Sequence, residues 1–501
     1  MTLVAAKPAE AVEVLTLNHL IAGKWVAAQT GETFQRHSPA TGAVVSLVAK
    51  GTAADAADAI AAARTTFDTG VWSQWSGKER ARVLLRMADL IDKNSARIAR
   101  YETLESGKPI SQAAAEIEGA ADLWRYAASL ARNIRGTSQN TLGRDILGLT
   151  LKEPVGVVSM ITPWNFPFLI ASQKVPFALA AGCTVVLKPS ELTSATTVMM
   201  GELLLEAGCP AGAVNIVLGF GDPVGNTLSA HADVDMVSFT GSTGVGKAIV
   251  AATSGTLKKV SLELGGKNPQ VIFPDADLDQ VADAIVFGAY FNAGACCNAG
   301  SRIIVHRDVA DALVDTVIAL SLKVPFGDPL DPRTKVGALI SGQHQSTIHA
   351  RVRGAEAAGA TIKLGGAPLA IDGLAGPFYA PTVITGVTPQ MAIAHEEVFG
   401  PVLAVLTFDT FDEAVALTNA TSYGLSAGVW SRDVSTCLAF ARAARTGTVW
   451  TNTFMDGFAE LPFGGVKESG IGRELGPNGL EEFLETKTVQ MRIGDTRPLW
   501  V

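Results

Sequence analysis

Cysteine is scarce: 5 residues in 501, with no CxxC pair and no regular spacing. Cys183, Cys209, Cys296, Cys297 and Cys437 are odd in number, which argues against a disulfide scaffold and for a reduced, cytoplasmic protein. A bridge between the neighbours Cys296 and Cys297 would need strained geometry. No apolar run approaches the roughly 18 residues of a membrane span. No cluster of Lys and Arg forms a basic stripe and the net charge is −8, so nucleic acid is not an expected partner. The opening MTLVAAKPAEAVEVLTLNHL contains two Glu and no continuous apolar core, so it does not read as a secretory signal. There is no internal repeat and no low-complexity tract.

What is present is a chain that is 48% hydrophobic with 50 glycines, long enough for two to four domains. Residues 53–134 read as helices punctuated by Gly70 and Gly107-Lys108-Pro109. From Val157 short β-branched runs (VVSMI, TVVL, VNIVL, VDMVSF) alternate with helical ones. The runs lack apolar/polar alternation, as strands of a parallel sheet buried on both faces should. A second alternating series starts near Pro269 and runs to TVWTN (448–452), with ELGGKNP (263–269) as a hinge between the two. This gives two α/β lobes and a cleft. ILGLTLK (146–152) and TKTVQMRI (486–493) are strand-like but belong to neither series, so they should pair with each other or with another subunit.

Several short stretches bear chemistry. Gly241-Ser-Thr-Gly-Val-Gly246-Lys247 fits GxxxxGK, but Ala248 replaces the hydroxyl that a P-loop uses for Mg²⁺. Gly219-Phe-Gly221-Asp-Pro-Val-Gly225 also follows a strand. Each loop is either a tight strand-to-helix turn or a helix N-terminus open to a phosphate. Lys188 and Glu191 follow the strand TVVL, where a carboxylate can chelate a ribose diol or simply favour a helix dipole. Glu263, between two leucines, is either salt-bridged or a buried base with a raised pKa. Asn165, amid prolines and aromatics, is either a turn residue or a donor to an oxyanion. FNAGACCNAGSR (291–302) sets Cys296 and Cys297 on a small-residue turn. A cysteine nucleophile needs a thiolate, an oxyanion site and a base, and none of the seven histidines lies in a Gly-rich turn.

PWNFP (163–167), LKPSE (187–191), FTGSTGVG (239–246), LELGGKNP (262–269), the cysteine turn, EEVFGPV (396–402) and PFGGVKESGIGRE (462–474) occur in this order. On these motifs the chain resembles the aldehyde dehydrogenase superfamily from about residue 21 to residue 489. The resemblance implies an α/β fold: a Rossmann-like NAD-binding domain (1–130 and 152–262), an α/β catalytic domain (263–470) and a small β oligomerisation flap (131–151 and 471–501). It implies a homo-oligomer, dimer or tetramer, with no metal.

Position by position, Cys297 resembles the family nucleophile, Asn165 the oxyanion donor and Glu263 the base that activates water, with Lys174 in the catalytic set. Lys188, Ser190 and Glu191 resemble adenosine-ribose contacts, and Gly221, Gly241 and Ser242 the pyrophosphate path. Thr162, Trp164, Phe239, Thr240, Val245, Leu264 and Gly265 complete the expected cofactor wall, with Glu397 and Phe399 at the nicotinamide ribose. Phe166, Ile170, Gln173, Cys296, Asn298 and Phe454 are the expected substrate pocket. The implied reaction oxidises an aldehyde to a carboxylic acid through a cysteine thiohemiacetal and a thioester, with NAD preferred and NADP possible. An acylating enzyme that passes the thioester to coenzyme A, or an inactive ligand-binding relative, are the alternatives; intact Glu263, Cys297 and Asn165 argue against both. Gln173 offers no cation to grip a carboxylate substrate, and Asp456 and Glu460 are either a solvated acidic loop, the favoured reading, or a feature selecting a cationic aldehyde such as betaine aldehyde or an aminoaldehyde.

Overall fold

Val157–Ile161 is apolar except for Ser159, so it is stable only with neighbours on both edges and helices on both faces. The structure, a computed structural model describing residues 1–5, 12–494 and 501, places it in the middle of an eight-stranded sheet. Thr184–Lys188 and then Val214–Ile216 pair in parallel on one side; Met236–Thr240 and then Lys259–Glu263 do so on the other. Chain order therefore reverses between Val157–Ile161 and Met236–Thr240, which leaves a crevice beyond their carboxyl ends. Gly470–Ile471 closes one end of the sheet, and His19–Ile21 with Lys24–Val26 the other, all antiparallel.

The helical region becomes Ala53–Asp68, Gly77–Ser106 and Ile110–Ala131. The second of these opens on a capping box between Ser76 and Glu79 and stops at Gly107 in the left-handed conformation. Lys108 and Pro109 then turn the chain into the third helix, giving a helical hairpin behind Pro167–Ala181.

After Glu263 the chain crosses through residues 264–268 into a seven-stranded sheet. Its order is Thr361–Leu364, Thr382–Thr385, Val402–Phe408, Arg302–His306, Pro269–Ile272, Ser426–Trp430 and Thr448–Thr451, parallel except at the first pair. The hinge expected at ELGGKNP is thus the crossing between lobes. The two stray strands pair with each other: Ile146–Pro154 and Leu484–Arg492 run antiparallel from Pro154↔Leu484 to Ile146↔Arg492, with Ser138–Gln139 as a short third strand. The lobes also exchange short segments, since Thr2–Val4 pairs with Pro325–Gly327 of the second lobe. Among the described residues no helix is long and apolar enough to cross a membrane.

Candidate active site

Three chain segments meet between the lobes. PWNFP leaves the strand Val157–Ile161, GSTG leaves Met236–Thr240, and the cysteine turn precedes Arg302–His306. Together with Glu397 to Phe399 they enclose a cavity of about 310 Å³ that contains Asn165, Ile170 and Cys297.

Cys297 is half-buried, whereas Cys296 is buried among Phe166, Ile170 and Ala299. A hydrogen bond with the Cys296 thiol, and then burial, push the Cys297 thiol well above its ordinary pKa; the charges of Glu263 and Glu397 add to this. No cation is among these causes, so the thiol holds its proton until something removes it. The turn itself is held from below. Asn268 donates from Nδ2 to the Cys297 carbonyl at 2.6 Å and to the Ala299 carbonyl at 3.1 Å.

Asn165 is buried and donates from Nδ2 to the Ala295 carbonyl at 3.0 Å. An amide nitrogen has two protons, so one anchors the side chain and the other remains for the cavity. Glu263 is buried, and neither carboxylate oxygen has a hydrogen-bond partner. Burial raises its pKa well above the usual range, and neighbouring Glu474 raises it further, opposed by Lys174 and Arg473. The salt-bridged alternative for Glu263 therefore does not hold. Lys174 reaches neither Glu263 nor the cavity by contact: its Nζ bonds Ser238 Oγ at 3.0 Å and forms an ion pair with Glu474.

On the other side of the cavity, Glu397 accepts from the Gly266 N–H at 3.1 Å, and burial pushes its pKa up to about 7. Trp164, Phe399 and His344 pack edge to face, with ring centroids 5.5–6.1 Å apart. Phe399 is held at φ +58 while its carbonyl accepts from His344 Nε2 at 2.7 Å. Thr240, Gly241, Ser242, Leu264 and Gly265 line the same cavity. A Cβ on Gly241 would fall 2.5 Å from the buried ring of Phe239, so only glycine lets the chain turn there. Ser242 caps the helix Thr243–Thr253 by accepting from Val245, whose side chain is exposed at the helix start. Thr162 is buried and donates its N–H to the Lys188 carbonyl at 3.1 Å. Lys188 ends the strand Thr184–Lys188, and Ser190, Glu191 and Gly221 lie beyond the carboxyl ends of the neighbouring strands. Burial lowers the Lys188 pKa to about 8, and nearby Glu191 opposes this.

Of the six residues expected at the substrate wall, Ile170 lines this cavity and Phe166 and Cys296 pack with it in one apolar cluster; the other three do not line it. Phe454 does not face the cavity: its ring fills a slot left by Gly288, Gly300 and Gly428 and packs on Trp450 inside the second lobe. Its neighbour Met455, at φ +65, packs against the Phe166–Ile170–Cys296 cluster instead. Asn298 is tied to the second lobe, its Oδ1 accepting from Ser426 Oγ at 3.2 Å. Gln173 is half-buried on Pro167–Ala181, and Ile170 rather than Gln173 borders the cavity around Cys297. Asp456 and Glu460 are exposed, as a solvated loop should be. Sequence reasoning missed His344 and Arg351, which line the cavity with Thr347. Their spacing marks one face of the helix Gly342–Ala357, but nothing in it says which face meets the cleft.

This arrangement is set on a known architecture. The model of the aldehyde dehydrogenase family matches residues 25–489. The chain belongs to the aldehyde dehydrogenase family. It is an oxidoreductase acting on aldehydes. This aldehyde dehydrogenase is 41% identical to the betaine aldehyde dehydrogenase of Bacillus subtilis (strain 168), over 94% of this chain and 96% of that protein. It is 43% identical to the mitochondrial aldehyde dehydrogenase family 2 member B4 of Arabidopsis thaliana, over 98% of this chain and 90% of that one. Among solved structures, an NAD-dependent aldehyde dehydrogenase from Sinorhizobium meliloti superposes with a TM-score of 0.97 at 49% identity, covering 100% of this chain and 99% of that one. Betaine aldehyde dehydrogenase from Staphylococcus aureus, solved with NAD+, gives 0.95 at 41% identity, covering 97% and 96%.

Proposed function

We propose that the enzyme uses NAD to oxidise an aldehyde to a free carboxylic acid, with Cys297 as nucleophile, Asn165 as oxyanion donor and Glu263 as base. The observation that carries this reading is Glu263: a buried carboxylate without a hydrogen-bond partner, whose charge reaches the Cys297 thiol. Such a group is costly to keep unless it works as a base.

The residues present suit a dinucleotide. The N-terminus of Thr243–Thr253 opens onto the crevice beside Gly241, a favourable place for a pyrophosphate. Thr240 Oγ1 and Thr162 Oγ1 are buried without partners. Glu191 would take the adenosine ribose with Lys188 and Ser190 beside it, and Glu397 the nicotinamide ribose with Phe399. NAD, when bound, supplies the acceptor for the hydride that leaves the substrate carbon. NADP use is expected to be weaker, because Glu191 repels a 2′-phosphate while Lys188 softens that repulsion.

Cys297 gives up its proton to solvent, and the thiolate sulfur bonds the aldehyde carbon. The carbonyl oxygen becomes an oxyanion, held by the second Asn165 N–H and the backbone N–H of Cys297. With the hydride gone, the acyl group remains on Cys297 as a thioester. Glu263 takes a proton from water, the water oxygen bonds the acyl carbon, and the C–S bond breaks to release acid and thiolate. Phe166, Ile170 and Met455 give the substrate an apolar wall, which favours an uncharged aldehyde. The enzyme is proposed to assemble as a homo-oligomer through the flap and to work in a reducing, cytoplasmic setting, which suits its five free cysteines.

The test is Glu263→Gln, which keeps shape but cannot take a proton. Stopped-flow mixing with aldehyde and NAD should give up to one NADH per site, then a steady state slowed by ~10²–10⁴-fold. Intact-mass analysis of the quenched variant should show an acyl adduct on Cys297. A high pH should restore the burst if Glu263 also deprotonates Cys297. No burst and no adduct at any pH would refute the role of Glu263. Unchanged acid production by the variant would do the same.

A further inference from the structure

We infer that Asn292, gripped by Gln112, is the positioning residue that sets the Asn165 amide and the cysteine turn in register; this rests on the oxyanion role proposed above for Asn165. Asn292 lies just ahead of the turn at φ +50, followed by Ala293 at φ +53 and Gly294 at φ +74. Three successive left-handed residues do not hold themselves, and Asn tolerates that region better than most L-residues. The restraint is side-chain bonding. Asn292 is buried, and its Nδ2 donates to the Asn165 carbonyl at 2.9 Å and to the Ala295 carbonyl at 3.1 Å. Asn165 Nδ2 donates to that same Ala295 carbonyl at 3.0 Å. One carbonyl of the cysteine turn therefore fixes both amides, and Asn292 joins the two segments that carry nucleophile and oxyanion donor.

Asn292 is itself anchored from the helical hairpin. Its backbone N–H donates to Gln112 Oε1 at 3.1 Å, and Gln112 Nε2 donates to Glu116 Oε1 at 2.7 Å. Glu116 is ion-paired to Lys108, which also bonds Glu102 Oε1 at 3.2 Å. Lys108 lies over the Phe166 ring, 4.5 Å from its centroid, and Glu102 Oε2 accepts from the Phe168 N–H at 3.4 Å. All of these polar side chains are buried. Gln112, Glu116, Lys108, Glu102 and Asn292 do not themselves line the cavity, yet they brace the Asn165 loop and the cysteine turn together. A buried network of this cost is retained where it fixes one arrangement.

The experiment compares Asn292→Gly, Asn165→Ala and the double variant in the full-length enzyme. Glycine accepts the backbone angles and keeps the N–H to Gln112, so only the side-chain amide is lost. Asn292→Gly should lower kcat by about 10–100-fold, as small misplacements at a reacting centre do, with the NAD dissociation constant unchanged. It should slow the NADH burst rather than the later hydrolysis. In the Asn165→Ala background it should cost little more, since both losses act on one oxyanion site. Gln112→Met should reproduce a milder form of the same kcat loss. A wild-type burst in Asn292→Gly while Asn165→Ala is slow overturns this inference alone. Independent, multiplying losses overturn it as well. A fast Asn165→Ala overturns it together with the oxyanion role, and a failure of both Asn292→Gly and Gln112→Met to fold overturns it in favour of a purely structural role.

Discussion

Gly464 has no side chain where the Glu263 carboxylate sits: a Cβ built on it would lie 2.6 Å from Glu263 Oε1, and its φ is +155. The close approach is what allows PFGG to pass behind the base. Gly464→Ala should push the carboxylate aside and strain the backbone. Thioester hydrolysis should slow by roughly 10²-fold, the scale of a small misplacement, while the NADH burst survives. Pre-steady-state fluorescence of NADH checks it; a wild-type steady state would show that the carboxylate does not need this position.

The two cysteines should behave differently. Cys297→Ala should abolish turnover while NAD still binds. Cys296→Ala should keep most activity, because its thiol is buried among Phe166, Ile170 and Ala299. Alkylation by iodoacetamide with peptide mapping should find Cys297 first, and Cys296→Ala should react faster per site, having lost the hydrogen bond that holds the Cys297 proton. Preferential labelling of Cys296 would contradict the assignment.

Activity should rise with pH. Glu263 and Cys297 are both held well above their ordinary pKa values, so both are protonated, and inactive in their roles, at the acid end. The base and the thiolate appear only as pH climbs through the raised values. Glu474 is the largest charged contributor to the Glu263 shift. Glu474→Gln should therefore move the limb of the kcat profile to lower pH. A limb that stays in place, or moves up, would remove Glu474 from the account.

Cofactor choice should depend on Glu191. Glu191→Ala should narrow the gap between NAD and NADP in kcat/KM, chiefly through KM for NADP. Lys188, lowered to about 8, is charged below that pH, so NADP should be used better at neutral than at alkaline pH. NADP equal to NAD in the unaltered enzyme would count against the role of Glu191.

Assembly should run through the flap. Leu484–Arg492 is a nine-residue strand at the end of its sheet, mostly exposed, with one edge unpaired among the described residues. Such an edge invites a second strand. Light scattering should show an even-numbered homo-oligomer, and truncation before Leu484 should reduce it to monomers. A stable, active monomer of the whole chain would contradict this.

The sequence by itself determined the two α/β lobes and the crossing at ELGGKNP, and it singled out the candidate residues of the site. Apolar strands without alternation admit few arrangements, and Glu263, Asn165 and Cys297 stand in local contexts that ordinary packing does not call for. The sequence also marked the segments 146–152 and 486–493 as strands outside both series, to be paired with each other or with another subunit; the folded chain pairs them with each other. Only tertiary structure decided which side chains share the cavity. Phe454 is an aromatic of the right kind at the right place in the chain, but three glycines distant in sequence opened a slot that took it and left Met455 against the Phe166–Ile170–Cys296 cluster. His344 and Arg351 sit on an ordinary polar helix until folding turns one face onto Trp164 and Glu397. The Gln112–Asn292–Asn165 bonds join residues up to 180 positions apart. Local spacing fixes the face a residue shares within its own element; which faces meet is set by the packing of the whole chain.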